Sequence, residues 1–219
     1  MNSEYRLKEM NNLDVIETVN ETLVRIDAFE LSDQEKIETI AHHFSQIMHT
    51  LGLNLQDDSL KGTPKRVAKM FINEMFSGLN PKNKPEISLF KNSYGYKKML
   101  IEKDITLYSC CEHHFVPIIG KVHIAYIPDD YVVGLSKLNR LVQFYARQPQ
   151  VQERLTIQIA EALKETLKLN DVAVFVEADH LCVASRGIKD TNSKTITASY
   201  SGRFDLPAVK QEFLSYIKH

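Results

Sequence analysis

Apolar positions recur at helical spacing over the first part of the chain. Val15, Val19, Leu23 and Ile26 trace a narrow stripe, which predicts an amphipathic helix too weak to stand without a docking surface. Ser32 followed by Glu35 is a capping-box pattern. Behind it Ile37, Ile40, Ala41, Phe44, Ile47, Met48 and Leu51 mark one face of a second helix, closed by Gly52. Thr63-Pro64 reads as an N-cap with proline at the first helical position, opening a third helix that ends near Gly78.

The period changes after residue 80. Pro81, Asn83, Pro85 and Asn92 mark an irregular loop, then Met99 to Tyr108 and Lys121 to Ile127 read as strands. Two helices follow, Ser136 to about Arg147 and Val151 to about Leu169, with apolar faces carried by Leu138, Leu141, Val142, Leu155, Ile159 and Leu163. Val172 to Val176 and Thr195 to Phe204 are further strand candidates, and a last amphipathic helix runs from about Pro207 to Ile217. The order strand, strand, helix, helix, strand, strand predicts an α+β fold: an antiparallel sheet with helices on one face and an N-terminal helical extension. The expected division is a helical region over 1–80 and a sheet-bearing domain over 81–219.

Composition narrows the function classes. Lys plus Arg is 27 and Asp plus Glu is 28, so the net charge of −1 offers no broad field for nucleic acid or membrane. No run approaches the ~18 apolar residues of a membrane span, and Met1 to Met10 holds no secretory apolar core. Three cysteines, an odd number, argue against a disulfide framework and for the reducing cytoplasm.

The densest chemistry is Ser109-Cys110-Cys111-Glu112-His113-His114, just past a predicted strand. Thiols and imidazoles at this density form a donor set suited to zinc. A second set, Asp179-His180-Leu181-Cys182, also ends a predicted strand. If the two strand ends lie side by side, Cys111, His114 and Cys182 could bind one ion and leave a fourth position open, the composition of a catalytic zinc site. A closed structural site would want four ligands, and cysteine is often buried for packing alone. Neighbouring strand side chains point to opposite faces, so Cys110 and Cys111 should not both be ligands. Glu112 reads as structural, holding backbone or a neighbouring imidazole; His42 and His43 read as ordinary helix residues.

A second constellation is basic. Arg66 and Lys69 lie on one helix, Lys137 and Arg140 near the start of another at Ser136, and Arg186 beyond Cys182. Helix starts and guanidinium groups suit a polyphosphate. Taken singly, each of these residues is better read as part of a solvated face.

Longer segments then carry a resemblance. Cys111-Glu112-His113-His114-Phe115-Val116-Pro117, Gly134-Leu135-Ser136-Lys137-Leu138-Asn139-Arg140, Gln150-Val151-Gln152-Glu153-Arg154-Leu155 and His180-Leu181-Cys182-Val183-Ala184-Ser185-Arg186-Gly187 resemble the signature segments of the GTP cyclohydrolase I family. Asp57-Asp58-Ser59-Leu60 and Thr63-Pro64-Lys65-Arg66-Val67-Ala68-Lys69-Met70 extend the likeness, which spans roughly residues 32 to 215. Departures are small: Cys110 is an extra thiol, and Leu181 stands where relatives often carry an aromatic residue.

The resemblance implies the tunnelling fold and a toroidal homodecamer with active sites at subunit interfaces. It implies conversion of GTP and water to 7,8-dihydroneopterin triphosphate and formate, the first step of folate and pterin biosynthesis. On it, Cys111, His114 and Cys182 hold zinc, His113 donates a proton to the ring nitrogen, and His180 shuttles protons. Glu153 and Gln152 match positions that read guanine, Ser136 lies near the ribose, and Arg66, Lys69, Lys137, Arg140 and Arg186 hold the triphosphate. Two rival classes are a nucleobase deaminase, whose H-x-E…P-C-x-x-C pattern is missing here, and a non-catalytic ring of the same fold. His113, His180 and Glu153 are all present, which disfavours the second rival.

Overall fold

The structure is a computed structural model that describes residues 24–25 and 27–218. The stripe at Val15, Val19, Leu23 and Ile26 lies outside the described residues.

Helix α1 spans Asp33–Thr50, and both halves of the Ser32–Glu35 capping box are formed. Its apolar face is only partly covered: Ile37 and Met48 are buried, while Ile47 and Leu51 remain exposed. Helix α2 covers Thr63–Met70, with Gly62 rather than Thr63 as N-cap and Pro64 in the first turn. There the missing N–H costs nothing, because no intrahelical acceptor is available to it. A π-turn at Phe71–Met75 and a 3-10 turn at Ser77–Leu79 carry the chain on. Gly78 is required at this point: a Cβ would fall 2.1 Å from the Phe144 carbonyl oxygen. Its N–H donates to Arg147 O at 2.9 Å, and Gln148 Nε2 donates back to Gly78 O at 2.8 Å.

Two short strands, β1 (Leu89–Lys91) and β4 (Tyr131–Val133), pair with each other; three residues each are too few to show an alternating pattern. The main sheet contains β2 (Leu100–Cys111), β3 (Pro117–Tyr126), β5 (Pro149–Gln150), β6 (Val172–His180) and β7 (Thr195–Tyr200), in the order β5-β2-β3-β6-β7. Gly120 lets β3 and β6 approach, since a Cβ there would lie 2.1 Å from Glu177 O. Helices α3 (Leu135–Ala146) and α4 (Gln152–Leu167) bring Leu138, Leu141, Val142, Leu155, Ile159 and Leu163 into one cluster with Leu107, Ile118, Val122, Ile124, Val174 and Val176 of the sheet. Each fully buried aliphatic side chain there contributes about 1.5–3 kcal/mol.

The α+β class is as expected, with three corrections. The sheet is mixed: its long strands are antiparallel, but β5 pairs in parallel with Cys110 and Cys111 of β2. A two-residue edge strand tolerates Pro149, which has no N–H to donate. The helices are not confined to one face. The final helix, α6 (Pro207–Ile217), packs Phe213 with Phe204, Ala125 and Ala173, and the two alanines alternate with the core residues Ile124 and Val174. Strand ends also shift. β2 and β6 run on to Cys111 and His180, so the chemical residues terminate strands instead of following them, and β7 stops at Tyr200 before a 3-10 turn at Gly202–Asp205. Among the described residues, no helix is long and apolar enough to cross a membrane.

Candidate metal centre

The site begins with a hairpin. Cys111 N donates to Val116 O at 2.9 Å and Phe115 N to Cys111 O at 2.8 Å, closing a four-residue loop of Glu112, His113, His114 and Phe115 between β2 and β3. Phe115 has φ 53°, a left-handed conformation that costs a bulky residue on the order of 1–3 kcal/mol. Its ring is held by Phe76 at 5.0 Å and, edge-on, by Phe71 at 6.3 Å between centroids. The helical segment before residue 80 thereby braces the loop that carries both histidines.

The pairing of β3 with both β2 and β6 brings the two strand ends together. Cys111 ends β2, His114 sits on the loop, and Cys182 lies on the short helix α5 (Leu181–Ala184) after β6. Their ligand atoms all fall within 4.8 Å of one another. Ligands at tetrahedral zinc stand about 3.5–3.8 Å apart, given Zn–S of about 2.3 Å and Zn–N of about 2.0 Å, so this trio fits one ion after small adjustments. Burial, then hydrogen bonding to Cys111, pushes the Cys182 thiol up, so a metal bound here must displace protons. Cys110 is buried on the other side of the strand, beside Met75, Tyr108 and Pro117. Burial first, and Cys111 second, push its thiol up to about 11.

The two histidines flanking the trio are held differently. His113 is exposed, with Nδ1 3.7 Å from Cys111 Sγ and Nε2 3.7 Å from Glu112 Oε1. Glu112 in turn pairs with Arg154, whose Nη2 donates to its carboxylate and to Pro149 O at 2.9 Å while Nε donates to Gln150 Oε1 at 3.2 Å. Glu112 is thus structural, but its carboxylate is held by a guanidinium instead of holding backbone or an imidazole, as the sequence suggested. His180 closes β6 with Nε2 2.8 Å from Gln152 Oε1. Burial holds its imidazole below the usual histidine value, against the opposite pull of Glu153 and Asp179. Glu153 is exposed in the first turn of α4, whereas Gln152 beside it is fully buried.

The basic residues are less well gathered. Arg186 lies at the metal trio, with Nη1 3.1 Å from His114 Nε2. A guanidinium can only donate, and once one nitrogen of a neutral imidazole binds metal the other carries the ring hydrogen, so Nε2 has no lone pair left to accept whichever nitrogen ligates. This contact and metal ligation by His114 therefore exclude each other. Arg66 is exposed and donates to Ser59 O and Thr63 Oγ1, both at 2.9 Å, and Lys69 is exposed on the same helix. Lys137 and Arg140 lie on α3; Arg140 lines a groove with Asn83, Pro85 and Arg147. Ser136 is exposed in the first turn of α3, where Gly134 and not Ser136 is the N-cap. Sequence reasoning did not single out Phe115 or Arg154. For Arg154 the signal was its place directly after Glu153; for Phe115 a positive φ at a bulky residue leaves no trace in composition.

The family model described as GTP cyclohydrolase I matches residues 40–218. A protein of Flavobacterium johnsoniae named GTP cyclohydrolase 1 is 56% identical over 195 residues, covering 89% of this chain and 87% of its own. Proteins of the same name from Salmonella gallinarum (50% over 200 residues, 91% and 90% covered) and Haemophilus influenzae (51% over 185 residues, 84% and 85% covered) are similar throughout. With the signature segments of the hairpin, α3, α4 and β6 all inside the matched span, the chain belongs to the GTP cyclohydrolase I family.

Proposed function

We propose that the protein converts GTP and water to 7,8-dihydroneopterin triphosphate and formate, the first step of folate and pterin biosynthesis, in the cytoplasm. The observation that supports this is the meeting of Cys111, His114 and Cys182 beside two further histidines, in a chain of this family. The metal is zinc, which suits a donor set of two thiolates and an imidazole, and when bound it supplies an activated water nucleophile at neutral pH. His113 protonates the ring nitrogen as the imidazole ring of guanine opens, and His180 shuttles protons at the attacking water. The Glu153 carboxylate accepts N–H bonds from the guanine edge that adenine does not offer. Ser136 lies by the ribose and assists ring closure.

Arg186, with Arg66, Lys69, Lys137 and Arg140, holds the triphosphate. The spread of these bases over α2, α3 and the segment after α5 supports a pocket completed by neighbouring copies, as in a tunnelling-fold decamer. The helical turns over residues 33–79 then serve the domain over 81–219 as a brace. GTP is the partner, with neither nucleic acid nor membrane involved.

Incubation of the purified protein with GTP, followed by detection of formate and of a fluorescent oxidised pterin, tests the reading. Stoichiometric formation of both is expected. Ammonia release instead would indicate a deaminase, and GTP binding without turnover a non-catalytic member of the family.

A further inference from the structure

Gln152 opens helix α4 with 1% of its surface exposed, and each atom of its amide is committed. The side-chain nitrogen lies 2.9 Å from Thr195 O, 3.2 Å from Val176 O and 3.2 Å from Thr197 Oγ1. Two of these neighbours are backbone carbonyls, which only accept, so the NH2 end must face them. The reverse orientation would set Oε1 against two carbonyl oxygens in a buried place. Oε1 is thereby directed at His180 Nε2, 2.8 Å away. An amide oxygen also only accepts, so Nε2 must carry a hydrogen and Nδ1 of the neutral ring keeps the lone pair.

A second strand of the network fixes the same orientation. Thr156 Oγ1 donates to the Gln152 backbone O at 2.8 Å and lies 2.7 Å from Thr197 Oγ1. With the Thr156 hydrogen spent on that carbonyl, Thr197 must donate to Thr156. Thr197 then accepts, with a remaining lone pair, a share of one of the two Gln152 amide hydrogens, which also serve Thr195 O and Val176 O. The bonds form a closed circuit, Gln152 side chain to Thr197 to Thr156 to Gln152 backbone, that ties α4 to β7.

We infer that the Gln152 side chain is a positioning group for His180 and not a reader of the guanine: it selects the ring's Nε2–H tautomer, aims the ring, and has no side-chain donor left for a base. Guanine recognition at this end of α4 falls to Glu153, the exposed neighbour. The inference rests on the proposed reaction, in which His180 acts. It gives the buried amide a task other than the base reading that the family resemblance implied.

The test compares the unmodified protein with Gln152→Leu and Thr197→Val, using GTP and inosine triphosphate, which lacks the 2-amino group. Metal content and urea midpoints are measured for each. Removing a hydrogen-bond partner that orients a histidine at a metal centre typically costs 10–100-fold, so Gln152→Leu should lower kcat by roughly that factor. Its dissociation constant for GTP and its preference for GTP over inosine triphosphate should stay within about twofold of the unmodified values. Thr197→Val leaves Gln152 and His180 in place but opens the circuit, and should lower kcat by about 2- to 10-fold, the worth of one neutral hydrogen bond. If Gln152→Leu does not fold, Thr197→Val decides. Weaker GTP binding and a lost preference, with kcat at saturation kept, would show that Gln152 reads the base and overturn the inference. So would an unchanged kcat in both variants. Absence of formate from the unmodified protein would sink the proposed reaction instead.

Discussion

Arg154 and Glu112 are joined across the gap between α4 and the histidine loop, and both side chains are largely withdrawn from water, with 15% and 32% of their surfaces exposed. The same guanidinium reaches Pro149 O and Gln150 Oε1, so one residue fastens the short strand β5, the start of α4 and the loop that presents His113. The Glu112 backbone N–H also donates to Gln150 O at 3.0 Å.

Arg154→Ala should therefore lower stability by about 1.5–3 kcal/mol, the range for hydrogen bonds to charged groups, as read from the urea midpoint. Truncation leaves the Glu112 carboxylate without its partner in a partly dry place. Adding Glu112→Gln should recover part of the loss, which a double-mutant cycle would register as coupling. A cost below about 0.5 kcal/mol would place the pair with ordinary surface ion pairs.

The metal is expected to serve chemistry first and folding second. Cys111 is one member of the main core and Cys182 packs at its margin, but the rest of that core is built from residues outside the trio. Chelation should abolish formate release with little change in far-ultraviolet circular dichroism, and added zinc should restore it. Cys111→Ser and Cys182→Ser should act like chelation and lose bound metal by elemental analysis. Cys110→Ser should keep its metal and most of its activity, because that thiol faces away. Wholesale unfolding on chelation would make the site structural.

How far this was legible in the sequence depends on the physics involved. Helices α3, α4 and α6 could be read almost to the residue, because a strong 3.6-residue stripe faces a single core. The ends of β2 and β6 were read short. Cys110 and Cys111, or Asp179 and His180, look like a polar motif, yet backbone pairing to Val116, Pro149 and Ile118 carries the strands through them. The metal trio was legible because thiols and imidazoles at strand ends have few other uses. The partners of His180 and Glu112 were not, since a buried Gln152 and a half-buried Arg154 announce themselves only through atoms supplied by other elements. The left-handed Phe115 was invisible for the same reason: its support comes from Phe71 and Phe76, some forty residues away.

Stability should fall on mild acidification, and His123 should account for part of the fall. His123 is buried on β3 against the Phe175 ring, and its Nδ1 accepts from the Asp104 N–H at 3.2 Å. Burial, the largest effect, together with Lys121 and Lys103, holds its pKa below the usual histidine value, against Asp104 and Glu177. The unfolded chain therefore binds more protons than the folded one as pH drops below about 6.5. The contribution is complete above that pH and is lost as pH falls toward the depressed folded value. The urea midpoint of the unmodified protein should decrease between pH 7.5 and 5.5 at constant metal content. His123→Asn, which keeps an acceptor for Asp104 but cannot titrate, should show a shallower decrease. His180 shifts the same way, so the slope should shrink without vanishing. Parallel curves for the two proteins would exclude His123.

Arg186 is the basic residue for which the geometry makes the sharpest claim. Its contact with His114 must break when the neutral ring binds metal, since Nε2 then either ligates or carries the ring hydrogen and cannot accept from Arg186. Losing an exposed contact of this kind costs about 0–1 kcal/mol, so the guanidinium is released cheaply beside the proposed reaction centre. A charged hydrogen bond to a phosphate in a shielded pocket is worth roughly 1.5–3 kcal/mol. Arg186→Ala should therefore raise the apparent KM for GTP by about 10- to 150-fold while leaving turnover of guanosine, already very poor, nearly unchanged. The preference for the triphosphate over the nucleoside should shrink by the same factor. Arg140→Ala should do likewise if neighbouring copies complete the pocket, although within one chain its groove by Asn83 and Pro85 lies elsewhere. An unaltered preference in Arg186→Ala would mean that the residue freed from His114 finds no phosphate.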